Sequence, residues 1–164
     1  MPKPDTIVIN TGPVLALIAG LGNLDLLNSL YTKVIVPLEV CEEVLAGGST
    51  GFGVPEFNKA DFLIKLDKPS TIQPYLRNSL DLGESSVIQT ALDKEIETVG
   101  IDEALGRRIA RLNGLKLTGS LGIIIRAKKE GYPLLLQEVV NRMISQGIRL
   151  SDQVISFALK QVGE

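Results

Sequence analysis

The side chains able to do chemistry in this chain are almost all carboxylates. It holds nineteen Asp and Glu, no His and one Cys. Without an imidazole, neither a Ser-His-Asp nor a Cys-His nucleophile can be assembled. A His/Cys zinc site within the chain is excluded as well. A single Cys rules out a disulfide scaffold, and Cys41 reads as a small core residue suited to a reducing compartment. The acids worth weighing stand near strand ends or helix starts: Glu84, Asp102 and Glu103, with Glu39, Glu42 and Glu43 sharing another helix. Asp81 reads as part of the turn before Glu84. Each has a plain structural alternative, since Asp caps helices and first-turn acids favour the helix dipole. Several acids at one edge repel each other unless a cation is present. Oxygen donors without His or Cys match a hard ion, Mg²⁺ or Mn²⁺. Such an ion lowers the pKa of a bound water and stabilises charge on a phosphate.

The basic residues fit that chemistry. The net charge is −2, so the chain is not a strongly basic nucleic-acid binder. The average conceals an asymmetry. Residues 1–100 carry seven basic and thirteen acidic side chains, whereas residues 101–164 carry ten basic and six acidic. Residues 104–129 contain no acid but hold Arg107, Arg108, Arg111, Lys116, Arg126, Lys128 and Lys129. These are either solvated helix faces or a local phosphate-binding surface. Carboxylates, a metal and nearby Arg and Lys together point to phosphodiester hydrolysis.

Position depends on the elements. The 164 residues suit one domain over residues 1–164, and 45% hydrophobic with 22% charged residues is ordinary globular composition. β-Branched runs predict strands at 6–10, 33–36, 62–66, 98–101 and 115–118. Helical spacing and caps predict helices at 14–19 (with Thr11 as a nearby cap and Pro13 in the first turn), 23–30, 37–46, 70–80, 83–92, 103–112, 120–130, 134–146 and 151–161. Asn23, Asp102 and Ser151 read as caps, and Pro74 reads as a disturbance. Residues 47–60 read as a Gly-rich loop; no Walker A or GxGxxG motif occurs. Strand–helix alternation implies a parallel sheet covered on both faces. The functional cleft of such a sheet lies beyond the strands' carboxyl ends. Asn10 and Asp102 should therefore share one edge. Thr6 to Leu24 is uncharged, but Asn10, Thr11, Gly12 and Pro13 break it, and Pro4 and Asp5 precede it. It is not expected to be a leader or a span. A cytoplasmic location is expected.

In order and spacing, the chain resembles the PIN-domain family, as in VapC-like toxin ribonucleases, over roughly residues 6–161. Ile-Val-Ile-Asn10-Thr11-Gly12-Pro13 is similar to the family's strand, Asp-Thr-Ser and helix. Val34-Ile-Val-Pro37 through Glu43-Val resembles its Val-Pro…Val…Glu segment, which selects Glu43 where periodicity leaves Glu42 and Glu43 equivalent. Leu82-Gly83-Glu84 and Gly100-Ile-Asp102-Glu103 resemble the segments of the third and fourth acids. Leu117-Thr-Gly119-Ser-Leu-Gly122 and the helices after it resemble a subfamily often paired with small antitoxin-type partners.

The resemblance implies a three-layer α/β/α fold with a central, mainly parallel sheet. It implies Mg²⁺- or Mn²⁺-dependent cleavage of single-stranded RNA by an endoribonuclease, plausibly the toxin of a toxin–antitoxin pair, and a homodimer. The implied acids are Glu43, Glu84 and Asp102. Asn10 stands as a further ligand position, Thr11 orients it, and Glu103 is an adjoining metal candidate. Arg107, Arg108 and Arg111 are the candidate nucleic-acid contacts. Two departures stand out. Asn10 replaces the family's usual Asp, and Gly12 replaces a common Ser. Asn offers a carbonyl oxygen but one charge fewer, and it cannot act as a base. The competing expectation is therefore a weakened or inactive module that binds RNA or a protein partner. A third is an unrelated small α/β enzyme acting on a metabolite.

Overall fold

The structure is a computed structural model that describes residues 6–164. Residues 1–5, with Pro4 and Asp5, lie outside the described residues. Five strands form one sheet: β1 (Thr6–Ile9), β2 (Lys33–Val36), β3 (Ile64–Lys65), β4 (Thr98–Gly100) and β5 (Lys116–Thr118). Every pairing is parallel, and the order is β3-β2-β1-β4-β5. Ile7, Val8 and Ile9 are fully buried, as expected of the centre of a sheet covered on both faces. The chain runs outward from β1 through β2 to β3, then returns to β4 on β1's other side. The β1/β4 seam is therefore the topological switch point, where a crevice opens past the carboxyl ends of the strands.

Ten helices flank the sheet among the described residues. One layer holds α1 (Thr11–Leu21), α2 (Asp25–Leu30), α8 (Ser120–Lys129), α9 (Leu136–Ser145) and α10 (Asp152–Gln161). The other holds α5 (Pro74–Ser79), α6 (Leu82–Asp93) and α7 (Ala104–Leu112), while α3 (Leu38–Ala46), with α4 (Val54–Lys59) against it, touches both α1 and α6. The fold is thus the expected three-layer α/β/α arrangement. No described helix is long and apolar enough to cross a membrane.

Several local expectations are corrected. Residues 47–60 are not one loop, because Val54–Lys59 is helical, with Pro55 in its first turn and Phe57 wholly buried to anchor it. Pro74 does not disturb a helix; it opens α5, where its missing N–H costs nothing. The strand expected at 62–66 shrinks to two residues at the sheet edge. Thr11 is not a cap but the first helical residue, following Asn10 in extended conformation. Leu24 occupies the N-cap position of α2, while the Asn23 side chain still accepts a 3.0 Å hydrogen bond from the Asp25 N–H. Ser151 does cap α10, accepting from the Val154 N–H.

The α1–α9 contact depends on a glycine. A Cβ at Gly20 would stand 2.7 Å from Val139 Cγ1 and 3.0 Å from Met143 Cε. Val139 and Met143 are themselves fully buried, so neither has free room to retreat. Gly20→Ala should cost about 1–3 kcal/mol through overpacking. The check is a lower urea midpoint at unchanged slope. An unaltered midpoint would mean that α9 shifts at no cost.

Candidate active site

The switch point brings together side chains far apart in sequence. Asn10 follows β1, and its N–H donates to Gly100 O at 2.9 Å, locking it to the end of β4. Asp102 lies two residues past β4. Its backbone neighbour Ile101 is held by a 3.0 Å bond to Thr118 O of β5. Asn10 and Asp102 therefore share the carboxyl edge, as the alternation rule requires.

Glycines mark how closely the acids approach. A Cβ on Gly83 would stand 2.9 Å from Glu43 Oε2, 3.1 Å from Asn10 Oδ1 and 3.6 Å from Asp81 Oδ1. A Cβ on Gly106 would be 3.5 Å from Glu84 Oε2, and one on Gly119 would be 2.6 Å from Asp102 Oδ1. Gly12 faces Asp102 at ordinary contact distance, 3.8 Å from its Oδ2. Asn10, Glu43 and Asp81 thus converge on Gly83, while Glu84 stands beside Gly106 and Asp102 beside Gly12 and Gly119. Glu42 and Glu43 are both exposed, but only Glu43 makes such an approach. Glu103 occupies the N-cap position of α7 and acts on Glu84 through its charge.

Two of these placements were not foreseen. Asp81 is a site neighbour as well as a turn residue: its Oδ1 accepts from the Glu84 N–H at 2.8 Å, capping α6, and the same oxygen faces Gly83. The Asp81-x-x-Glu84 spacing is a capping signature that could have exposed the pair. Asp102 does not cap α7. Glu103 is extended, so α7 starts one residue later, and Asp102 turns across to accept from the Ser120 N–H at 2.8 Å. Asp102 therefore sits at the N-terminus of α8, where the helix dipole favours a negative charge.

The electrostatics are those of crowded acids. Glu84 is only 6% exposed. Its pKa is pushed up to about 7, first by burial and then by the charges of Asp81, Glu103 and Glu43. Glu43 is raised by burial and by Asp81, and the nearby Thr11 hydroxyl opposes the shift. Burial raises Asp102 too, with no neighbouring acid contributing, although the residue is partly open to solvent. The Ser120 hydrogen bonds and the Arg107 charge work against that shift. Arg107 is half-buried and donates to Ile101 O at 2.8 Å, which holds it beside Asp102. Arg108 and Arg111 are exposed along α7 and make no ion pair among the described residues.

A cation fits this donor set in chemistry. All the donors are oxygens, and Asn10 Oδ1 is a buried acceptor without a hydrogen-bond partner. Native proteins rarely leave such atoms unsatisfied, and an absent ion is one explanation. Among the described residues no three acids stand close enough together to form a ligand group. Glu84 yields a pH prediction for the metal-free protein. The folded state binds its proton more tightly than the unfolded state, whose pKa is near 4.5. Stability therefore falls as pH rises from about 4.5 to about 7, by up to roughly 3 kcal/mol. Glu84→Gln should flatten that slope and stabilise the protein at pH 8 in EDTA. Parallel urea-midpoint profiles for variant and wild type would refute this assignment.

An all-parallel α/β/α sheet with acids converging at its switch point defines a class of protein whose site is a carboxylate-lined crevice. A comparison with protein families narrows it: the family described as a PIN domain (DUF3368) matches residues 6–164. The chain belongs to the PIN-domain family, which is nuclease-like and generally uses divalent metal ions. No curated protein matches the chain.

Proposed function

We propose that the chain is a metal-dependent endoribonuclease acting on single-stranded RNA. The observation that carries this reading is the orphaned, buried Asn10 oxygen surrounded by acids at the switch point. Asn10, Glu43, Glu84 and Asp102 are the residues that would hold Mg²⁺ or Mn²⁺, with Asp81 and Glu103 adjoining. The ion would supply Lewis acidity at a phosphodiester.

The chain's own residues do the rest. Thr11 sets Asn10 at the head of α1 and places a hydroxyl near Glu43. Ser120 and Arg107 keep Asp102 oriented and favour its charged form. With a pKa of about 7, Glu84 holds a proton part of the time at neutral pH and gives it up when positive charge enters the crevice. Arg107, Arg108 and Arg111 present cations on the α7 side for the RNA backbone, where phosphate contacts dominate affinity. The resemblance extends the reading to a toxin with an antitoxin-type partner and to a homodimer.

The test is incubation of purified protein with mixed-sequence single-stranded RNA in Mg²⁺, Mn²⁺ or EDTA. Cleavage in metal alone is expected. A second reading is favoured by one residue: Asn10 removes a charge from the site, so the chain could bind RNA without turnover. RNA binding without cleavage in any metal would establish it.

A further inference from the structure

Beside the acidic crevice lies an open groove of about 460 Å³ between the β5–α8 turn, the segment before α10, and α10 itself. That volume is within the range of small-ligand sites. Asp102, one of the candidate site acids, and Arg107 are part of its lining, so the groove adjoins the site. Its flank is apolar, with Leu117, Leu121 and Val154 among the lining. Arg149 and Phe157 line it as well. The lining contains no acid other than Asp102, whereas Arg107 and Arg149 both face it. Arg149 is exposed and makes no ion pair among the described residues. In a chain with only 4% aromatics, Phe157 leaves a ring 63% open to solvent.

An open ring, an unpaired guanidinium and a groove that reaches Asp102 complement one occupant: a nucleotide. A base has a π-face to stack on an aromatic ring, and its phosphate meets a cation. We propose that this groove is the subsite for a nucleotide flanking the bond cleaved at the acidic crevice, with Phe157 stacking its base and Arg149 meeting its phosphate. The proposal rests on the nucleic-acid reading above and deepens it. It makes α10 and the segment before it part of the RNA surface, in addition to α7. Gly119 keeps the junction open, because a Cβ there would press on both Asp102 Oδ1, at 2.6 Å, and Arg107 Nη1, at 3.1 Å.

The experiment measures anisotropy of a fluorescein-labelled single-stranded RNA decamer with the full chain, in EDTA and in Mg²⁺, with RNA integrity checked on gels. Phe157→Leu keeps an apolar side chain at an exposed position, so its melting temperature should match wild type. It should weaken binding about tenfold, in line with loss of one base stack. Arg149→Gln should also weaken binding and reduce the slope of log affinity against log salt by about 0.7. Decamers with one abasic position each locate the contact. One position should lose affinity on wild type and lose none further on Phe157→Leu. Unchanged RNA affinity in both variants overturns the subsite and leaves the groove to a protein partner. Failure of the wild type to bind RNA overturns the subsite and the nuclease reading together. Binding that depends on Phe157 without cleavage in any metal keeps the groove as a nucleotide-binding site and removes the nuclease reading alone.

Discussion

Asp102→Asn is expected to reduce metal-dependent RNA cleavage by on the order of a hundredfold to a thousandfold while leaving the fold in place. The size is that of losing one preorganised electrostatic group at a phosphate-reacting centre. Asparagine keeps the shape and an acceptor oxygen for the Ser120 N–H, so the cap on α8 survives. It removes a charge that burial disfavours, so the metal-free protein should not weaken much. A melting temperature within a few degrees of wild type should accompany the lost activity. Equal cleavage by the two proteins would sink the assignment. Lost cleavage with a collapsed melting temperature would instead reveal Asp102 as a structural cap.

Asn10→Asp should act in opposite directions with and without a cation. In EDTA the new carboxylate is buried at a 6%-exposed position beside Glu43 and Asp81, with no hydrogen-bond donor waiting for it. An unpaired buried charge is costly, and the group escapes part of that cost by holding its proton. The variant should therefore melt below wild type in EDTA, more so at pH 8 than at pH 5. Divalent affinity rises with ligand charge. If Mg²⁺ binds ten times more tightly, saturating Mg²⁺ adds about 1.4 kcal/mol relative to wild type. The Mg²⁺-induced rise in melting temperature should be larger for the variant, and cleavage should increase. Identical Mg²⁺ responses would show that residue 10 is not a ligand position. The neighbouring departure is sterically open, since Gly12 leaves ordinary contact space against Asp102.

Much of the architecture was legible because its signals are local. Uncharged β-branched runs such as Ile7-Val-Ile9 are the mark of strands buried on both faces, and they alternate with amphipathic helices. That alternation alone put Asn10 and Asp102 at one edge. Short elements with mixed signals were harder. Val54–Lys59 hid in a Gly-rich stretch because its one anchoring residue, Phe57, has no periodic companion. Pro74 carries the same residue type whether it breaks a helix or begins one.

The candidate site divides along the same line. Residue types alone pointed to oxygen donors for any metal, since a chain without His and with one Cys has few other ligands to offer. Periodicity left Glu42 and Glu43 equivalent, and only the packing of α3 against α6 turns Glu43 toward Gly83. Asp81 joined the site because the Asp81 cap and Gly83 belong to the same first turn of α6. Asp102 left α7 for Ser120, eighteen residues onward, once the β4–β5 pairing brought the α8 N-terminus alongside. Local backbone preference decides elements, and those were written in the sequence. Which side chains meet is decided by strand pairing and by glycines that permit close approach, and that information exists only in the tertiary structure.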